Sequence, residues 1–476
     1  MIDALSYARH QINKDWHEVR HTVFANFSVK AYMLAVCFIL NSSTYDKNKD
    51  GEIFDWKYNP LRHKLLSKMS FLLNWDGWYF FNTVTQGMYS SINQAAFFPG
   101  YPLIVKSMKP LIDTLPGFSD FFSDKGVKNI TIVLSGVSLN FTLHIVNGLM
   151  LYALAKSRGL DTKTSVRAVY LFILNGTSLF HVTFYSESTY MFFSLLALLT
   201  ISHRTTVSNN TMSSASILTY TAIIVCFAVS ASIRSLGLLN FAYLGYPYVV
   251  ELIQVMSSEK KEVQKQRIHK AVGLVVRVVV AVAVIAAPIF ALAIHHRSLF
   301  CPNLSSSLTE ENYSQTKVGT TPDFCFKRFG FFYSYVQEKF WGVRFLGQLR
   351  SGNPYVYLLT VNSLISVGCY IIDFINAYGL KIPTLFVGHY WKTTSNNDIL
   401  TQDFANFCIM LLMAYNFFLF AHQNSIERFL VAHSYYHLTC SQLAGRRPWI
   451  KTLLAVNTIW RLFVTPVLFV TNIHPI

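Results

Sequence analysis

The segment from Asn74 to Pro102 gathers residue types capable of chemistry. Asp76 stands among Trp75, Trp78 and Tyr79 beside Gly77, and the run Phe97-Phe98-Pro99-Gly100-Tyr101-Pro102 follows. An aspartate is costly among apolar groups unless it is paired or used. Prolines on either side of Gly100-Tyr101 withhold backbone donors and interrupt a regular helix. Two readings stand at this point: a functional acid, or an aromatic belt at a membrane interface carrying an incidental surface aspartate.

Four further stretches hold polar groups where apolar ones would cost less. They are Asn175-Gly-Thr-Ser through Tyr185-Ser186-Glu187-Ser188, then Ser232-Ile-Arg234-Ser-Leu-Gly237, then Tyr335-Val-Gln337 with Trp341-Gly-Val-Arg344, and last Glu427-Arg428-Phe429-Leu430. Singly, each has a plain structural reading. Glu187 and Arg234 suit an interface, or a neutralising pair between two spans, and Arg428 suits a local charge beside Glu427. Together, an acid, several arginines and an aromatic wall on one face suit a phosphate-bearing lipid. Arginine fits that task because its planar fork meets phosphate with two parallel hydrogen bonds.

The elements that must position these groups are membrane helices. Of 476 residues, 52% are hydrophobic and 13% charged, about half the charge of a soluble domain. Apolar runs long enough to cross a bilayer recur along the chain. The formal charge of +16, from 40 Lys+Arg against 24 Asp+Glu, collects in short loops between apolar segments, as cytoplasmic loops do. No basic-aromatic groove or reader motif accompanies it, so nucleic acid is excluded as a partner. Of seven cysteines, five lie in apolar segments, and Cys301 and Cys325 share one polar loop. No zinc-like Cys/His spacing occurs, so no metal is expected.

Residues 1–22 form a polar segment ahead of an apolar run at about 23–40, without a small-residue cleavage site, and read as a cytosolic arm before a retained signal anchor. Further spans are expected at about 130–155, 167–185, 187–203, 214–231, 236–253, 272–294, 354–376, 403–421, 425–443 and 452–471. Three basic loops, around Lys156–Arg167, Lys260–Lys270 and Arg446–Lys451, must share the cytosolic side. They do so only if the proline-interrupted piece at about 96–112 does not cross. About eleven spans then form one domain over 23–476, with loops of about 41–129 and 295–352 in the lumen. The second loop carries sequons at Asn303 and Asn312, and an oxidising lumen would join Cys301 to Cys325. Its aromatic, amphipathic second half, Phe331 to Arg350, suits a helix lying on the membrane. No inverted repeat is evident, which disfavours a transporter.

Read in order, the motifs resemble the PIG-V family of mannosyltransferases over nearly the whole chain. Trp75-Asp76, Phe97 to Pro102, Tyr185-Ser-Glu-Ser, Arg234-Ser-x-Gly, Tyr335-Val-Gln with Phe340-Trp341-Gly-Val-Arg-Phe-Leu, and Arg428-Phe-Leu carry the likeness. The chain departs from the family pattern at Tyr79, where a histidine is usual, at Ile92-Asn93, where Glu-His is usual, and at Leu236, where asparagine is common.

The resemblance implies an all-α, multi-pass glycosyltransferase of the GT-C class in the endoplasmic reticulum, with a luminal site. It implies dolichyl-phosphate mannose as donor, no cofactor, and a mannosyl-glucosaminyl-(acyl)phosphatidylinositol acceptor that receives a second, α1,6-linked mannose with inversion. A small accessory membrane subunit is a candidate partner. In that scheme Asp76 is the base, Trp75, Trp78 and Tyr79 face sugar, and Phe98, Pro99 and Tyr101 wall the lipid entrance. Glu187, Arg234, Gln337, Trp341, Arg344 and Arg428 complete the substrate site. The alternatives are another dolichyl-phosphate-sugar transferase and a non-catalytic lipid transporter.

Overall fold

The computed structural model describes residues 1–41, 68–87, 89, 92–114, 129–207, 215–257, 264–301, 323–325, 332–343, 345, 354–379, 397–419 and 428–470. Arg344 and the sequons at Asn303 and Asn312 lie outside them. Among the described residues the fold is all-helical. In chain order the helices are α1 (Ile2–Lys14), α2 (Trp16–Leu40), α3 (Asp76–Gln86), α4 (Gly100–Asp113), α5 (Ile130–Ser157), α6 (Thr162–Ile173), α7 (Glu187–Ser202) and α8 (Ile217–Ile233). There follow α9 (Phe241–Ser257), α10 (Gln264–Phe300), α11 (Phe332–Trp341), α12 (Pro354–Tyr378), α13 (Asn397–Leu419), α14 (Ser434–Arg446) and α15 (Pro448–Val470).

Among the described residues, five segments, Trp16–Leu40, Ile130–Ser157, Ser235–Ile253, Ile268–Phe300 and Pro448–Val470, are long and apolar enough to cross a membrane. Several expected spans are shorter than the hydropathy run suggested, and α6 illustrates why. Asp161 caps its start, accepting from the Thr164 amide at 2.7 Å. The helix stops at Ile173 because Asn175 caps a 3₁₀ turn over Gly176–Leu179 instead. A helix ending inside the apolar layer leaves orphan carbonyls. Here the side-chain nitrogen of Lys30, wholly buried in α2, donates to the Ile173 carbonyl at 2.6 Å and to the Ser178 hydroxyl.

The polar arm is also more ordered than its composition implied: α1 buries Ala4 and Ala8 against the bundle. A break at Asp15 lets that carboxylate accept from the Tyr152 hydroxyl at 2.5 Å, with Lys156 nearby at 3.5 Å. Helix α4, which holds the proline-rich piece, is 14 residues, or about 21 Å against a hydrocarbon core of about 30 Å.

The core is one continuous apolar cluster formed by α2, α5, α6, α7, α8 and α14 with the edges of α3, α4, α9 and α15. At one end of the bundle the first and last of the basic regions meet: Arg167 donates to the Ser441 carbonyl at 3.0 Å, and Arg158 pairs nearby with Asp403. At the opposite end gather the start of α7, the ends of α2, α8 and α15, and the helical turn at 428–431. A smaller cluster sits there too, where the disulfide Cys301–Cys325, with Cα atoms 5.7 Å apart, ties the end of α10 to a turn beneath α11.

Candidate active site

Asp76 is the first residue of α3, and the residue before it, Trp75, takes a left-handed φ of 56°. Such a backbone is uncommon for an aromatic residue and costs on the order of 1–3 kcal/mol. Its surroundings hold it. The Trp75 ring packs against Phe180 at 5.9 Å and Phe469 at 5.3 Å, while the Asn74 amide donates to the Phe469 carbonyl at 2.9 Å. From the other side, the Tyr185 hydroxyl donates to the Asn74 carbonyl at 2.5 Å. The turn that carries the acid is therefore pinned between the end of α15 and the segment leading into α7.

Glu187 begins α7 and is completely buried. Arg234 sits where α8 ends, its backbone extended at φ −149° and ψ 142°, before a 3₁₀ turn over Ser235–Asn240 folds back on the helix. Gly237 makes that fold-back possible: a Cβ there would lie 2.4 Å from the Ala231 amide nitrogen. Gly100 serves the same purpose from the neighbouring motif, where a Cβ would fall 2.5 Å from the Ser232 hydroxyl. The Pro99-Gly100-Tyr101 and Ser232-Ile-Arg234 motifs thus meet backbone to backbone.

Four charged side chains converge. Arg428 Nη1 donates to Asp76 Oδ2 at 2.7 Å, and its Nε and Nη2 donate to Glu187 Oε1 at 2.9 and 2.5 Å. Arg234 Nη1 reaches the same Glu187 oxygen at 2.7 Å and donates to the Ser186 hydroxyl at 3.3 Å. The charges alternate along the line Asp76, Arg428, Glu187, Arg234, and they sum to zero. Two guanidiniums 2.5–2.9 Å from one carboxylate would repel without it, so Glu187 is the group that allows both to be buried together. Aromatic faces complete the enclosure: Arg428 lies over Phe180 at 4.6 Å and Tyr185 at 5.0 Å, and Arg234 over Phe429 at 5.2 Å. The cluster is open at both ends. Asp76 keeps 29% of its side chain exposed, with Oδ1 unpartnered among the described residues.

The remaining expected site residues fall into distinct groups. Tyr79 stacks on Phe97 at 4.7 Å, and its hydroxyl accepts from Asn93 at 3.1 Å, so two of the positions that depart from the family pattern pair with each other. Half-burial and the nearby Asp76 carboxylate raise the Tyr79 phenol above its ordinary range, keeping it protonated. Trp78 stacks on Phe81 at 5.6 Å. Tyr101 is buried, its hydroxyl accepting from Asn140 at 3.1 Å, and Pro99 caps the start of α4 through a bond from Leu103 at 2.9 Å. Phe98 packs on Tyr333 at 5.9 Å in the disulfide cluster, and the Tyr333 hydroxyl lies 3.3 Å from the Ser235 hydroxyl, next to Arg234. Gln337 is half-buried on α11, and Trp341 is that helix's last residue. Sequence reasoning passed over Phe469, which sits within an apolar run and carries no signal apart from the tertiary contact; Phe180 lies in the Asn175–Ser188 stretch already singled out, but its contact with Trp75 and Arg428 comes only from the fold.

A profile of the family described as Mannosyltransferase (PIG-V) matches residues 29–459. The chain is 28% identical over 134 residues to GPI mannosyltransferase 2 of Drosophila melanogaster, covering 28% of each chain. It is 27% identical over 180 residues to GPI mannosyltransferase 2 of Drosophila pseudoobscura pseudoobscura, covering 35% of this chain and 37% of that one. Against GPI mannosyltransferase 2 of Chaetomium globosum it is 24% identical over 304 residues, covering 62% and 61%. The matches thus span about a third of the two fly proteins and under two thirds of the fungal one. Among solved structures, the oligosaccharyltransferase of Archaeoglobus fulgidus aligns over 94% of this chain and 55% of its own with a TM-score of 0.39 and 9% identity. With the profile spanning every motif from Trp75-Asp76 to Arg428-Phe-Leu, the chain belongs to the PIG-V mannosyltransferase family.

Proposed function

We propose that this protein transfers the second, α1,6-linked mannose from dolichyl-phosphate mannose to the mannosyl-glucosaminyl-(acyl)phosphatidylinositol intermediate of GPI-anchor synthesis, as a GT-C enzyme acting on the luminal face of the endoplasmic reticulum membrane. Family membership supports the class of reaction. The observation that carries the site is the alternating line of charges from Asp76 to Arg234, open at both ends.

In an inverting displacement, the acceptor hydroxyl attacks the anomeric carbon while the bond from that carbon to the phosphate oxygen breaks. The hydroxyl proton passes to the base, and the electron pair leaves with dolichyl phosphate, whose phosphate gains one negative charge. Asp76 suits the base: Arg428 holds one carboxylate oxygen, and the other, Oδ1, is unpartnered among the described residues to receive the proton. The leaving phosphate needs no general acid, because a buried guanidinium donor would stabilise the charge that develops. Trp78 and Tyr79, on the first turns of α3, offer flat faces to sugar C–H groups. The reaction so written uses no cofactor or metal, and a small accessory subunit would pack on the lipid-facing helices.

The test is lipid analysis of cells lacking this protein. Accumulation of the one-mannose GPI precursor supports the reading. Accumulation of truncated lipid-linked N-glycan instead would assign the protein to a different dolichyl-phosphate-sugar transferase.

A further inference from the structure

The two arginines of the cluster differ in what they have left to give. Arg428 is engaged along its whole fork: Nε and Nη2 on Glu187, Nη1 on Asp76, with aromatic rings over its plane. Arg234 spends only Nη1, on Glu187 and Ser186. Its Nε and Nη2 have no protein partner among the described residues, and 11% of its side chain remains exposed. That Nε/Nη2 edge is the side of a guanidinium that meets two oxygens of a phosphate at once. Ser235, the residue after Arg234 in the chain, donates through its hydroxyl to the Tyr333 hydroxyl of α11 at 3.3 Å.

Resting on the transferase reading above, we infer that Arg234 is the residue that grips the donor phosphate, and that Arg428 does not bind substrate but holds the Asp76 carboxylate in place. The order of charges gives the division its chemical sense. Inversion requires base and leaving group on opposite faces of the anomeric carbon. The line begins with an acid that has one oxygen unpartnered and finishes with a cation that has one edge unpartnered. Glu187 lies between the two arginines and orients both.

The test uses the purified full chain in nanodiscs, with citronellyl-phosphate mannose as donor and citronellyl phosphate as product analogue. Arg234→Gln should weaken citronellyl phosphate binding and raise the donor KM about ten- to hundredfold, leaving the acceptor KM unchanged. Arg234→Lys should recover part of that loss and guards against a variant that fails to fold. Arg428→Lys should lower kcat while donor KM and citronellyl phosphate binding stay within about threefold of wild type. Equal loss of citronellyl phosphate binding in the Arg428 and Arg234 variants, or none in Arg234→Gln, overturns the assignment. Absence of mannose transfer by wild type would instead count against the transferase reading, and phosphate binding by the same variants would still decide between the arginines.

Discussion

Replacing Glu187 perturbs the centre of the cluster without touching either open end. Two charged N–H groups of Arg428 donate to its Oε1 at 2.5 and 2.9 Å and Arg234 Nη1 forms an ion pair with the same oxygen at 2.7 Å, while the buried Oε2 has no partner among the described residues. Hydrogen bonds of this charged kind contribute about 1.5–3 kcal/mol each. Removing one partner of a buried ion pair costs about 3–5 kcal/mol, because the charge left behind stays desolvated. Glu187→Ala strands two guanidiniums whose side chains are only 11% and 15% exposed, so a loss at the upper end of that range is expected. Glu187→Gln keeps an oxygen acceptor of the same length but lifts the cluster from neutral to a net single positive charge, and should cost about 2 kcal/mol. Equilibrium unfolding in mixed micelles, titrated with a denaturing detergent, measures both. The expected order is wild type, then Gln, then Ala, and the Gln effect should shrink when Arg428→Gln is already present, since contacting residues couple. Stability of Glu187→Ala within about 0.5 kcal/mol of wild type would match an unremarkable surface change and would refute Glu187 as the group that holds the arginines together.

Gly237→Ala should destabilise by about 1–3 kcal/mol, since its Cβ would meet the Ala231 backbone at 2.4 Å, whereas Gly273→Ala on α10, with nothing within 4 Å, should stabilise that helix by about 0.5–1 kcal/mol; thermal unfolding of the pair reads the opposite signs. Asp161→Ala should cost about 0.5–2 kcal/mol through the lost cap of α6. Because bonds from Thr164 hold the Asp161 carboxyl below its ordinary value of 3.8, the cap contributes fully above that pH and fades as pH falls through the lower folded value, so wild type and variant should converge in acid. Cys301→Ser opens a bridge of sequence separation 24, costing about 3 kcal/mol in the chain-entropy account; non-reduced peptide mass mapping should find Cys301 linked to Cys325 in wild type and Cys325 free in the variant.

Hydropathy marked α5, α7 and α8 within a few residues of their ends, because a buried, uniformly apolar helix announces itself by length and composition. It misjudged α6, whose end is set by the Asn175 cap and by Lys30 from a distant helix, neither of which has a local period. The site was legible to a similar depth. Asp76, Glu187, Arg234 and Arg428 each broke an apolar pattern, and the structure brings all four together. Which arginine would hold which acid was not legible, since that depends on where α7, α8 and the 428–431 turn meet. Tyr101 and Phe98 look like lipid-wall residues in sequence; in the fold the Tyr101 hydroxyl is engaged by Asn140 and Phe98 packs on Tyr333. An aromatic residue beside a motif does not reveal from sequence whether its ring lines a cavity or fills the core behind it.

The proposed role of Asp76 as the base that takes the acceptor hydroxyl's proton is isolated by Asp76→Asn, since the amide keeps the size of the side chain and an oxygen for Arg428 while abolishing basicity. Mannose transfer measured at matched, correctly localised protein levels should fall about 10²–10⁴-fold with the variant still folded. Near wild-type turnover in that variant would contradict the account.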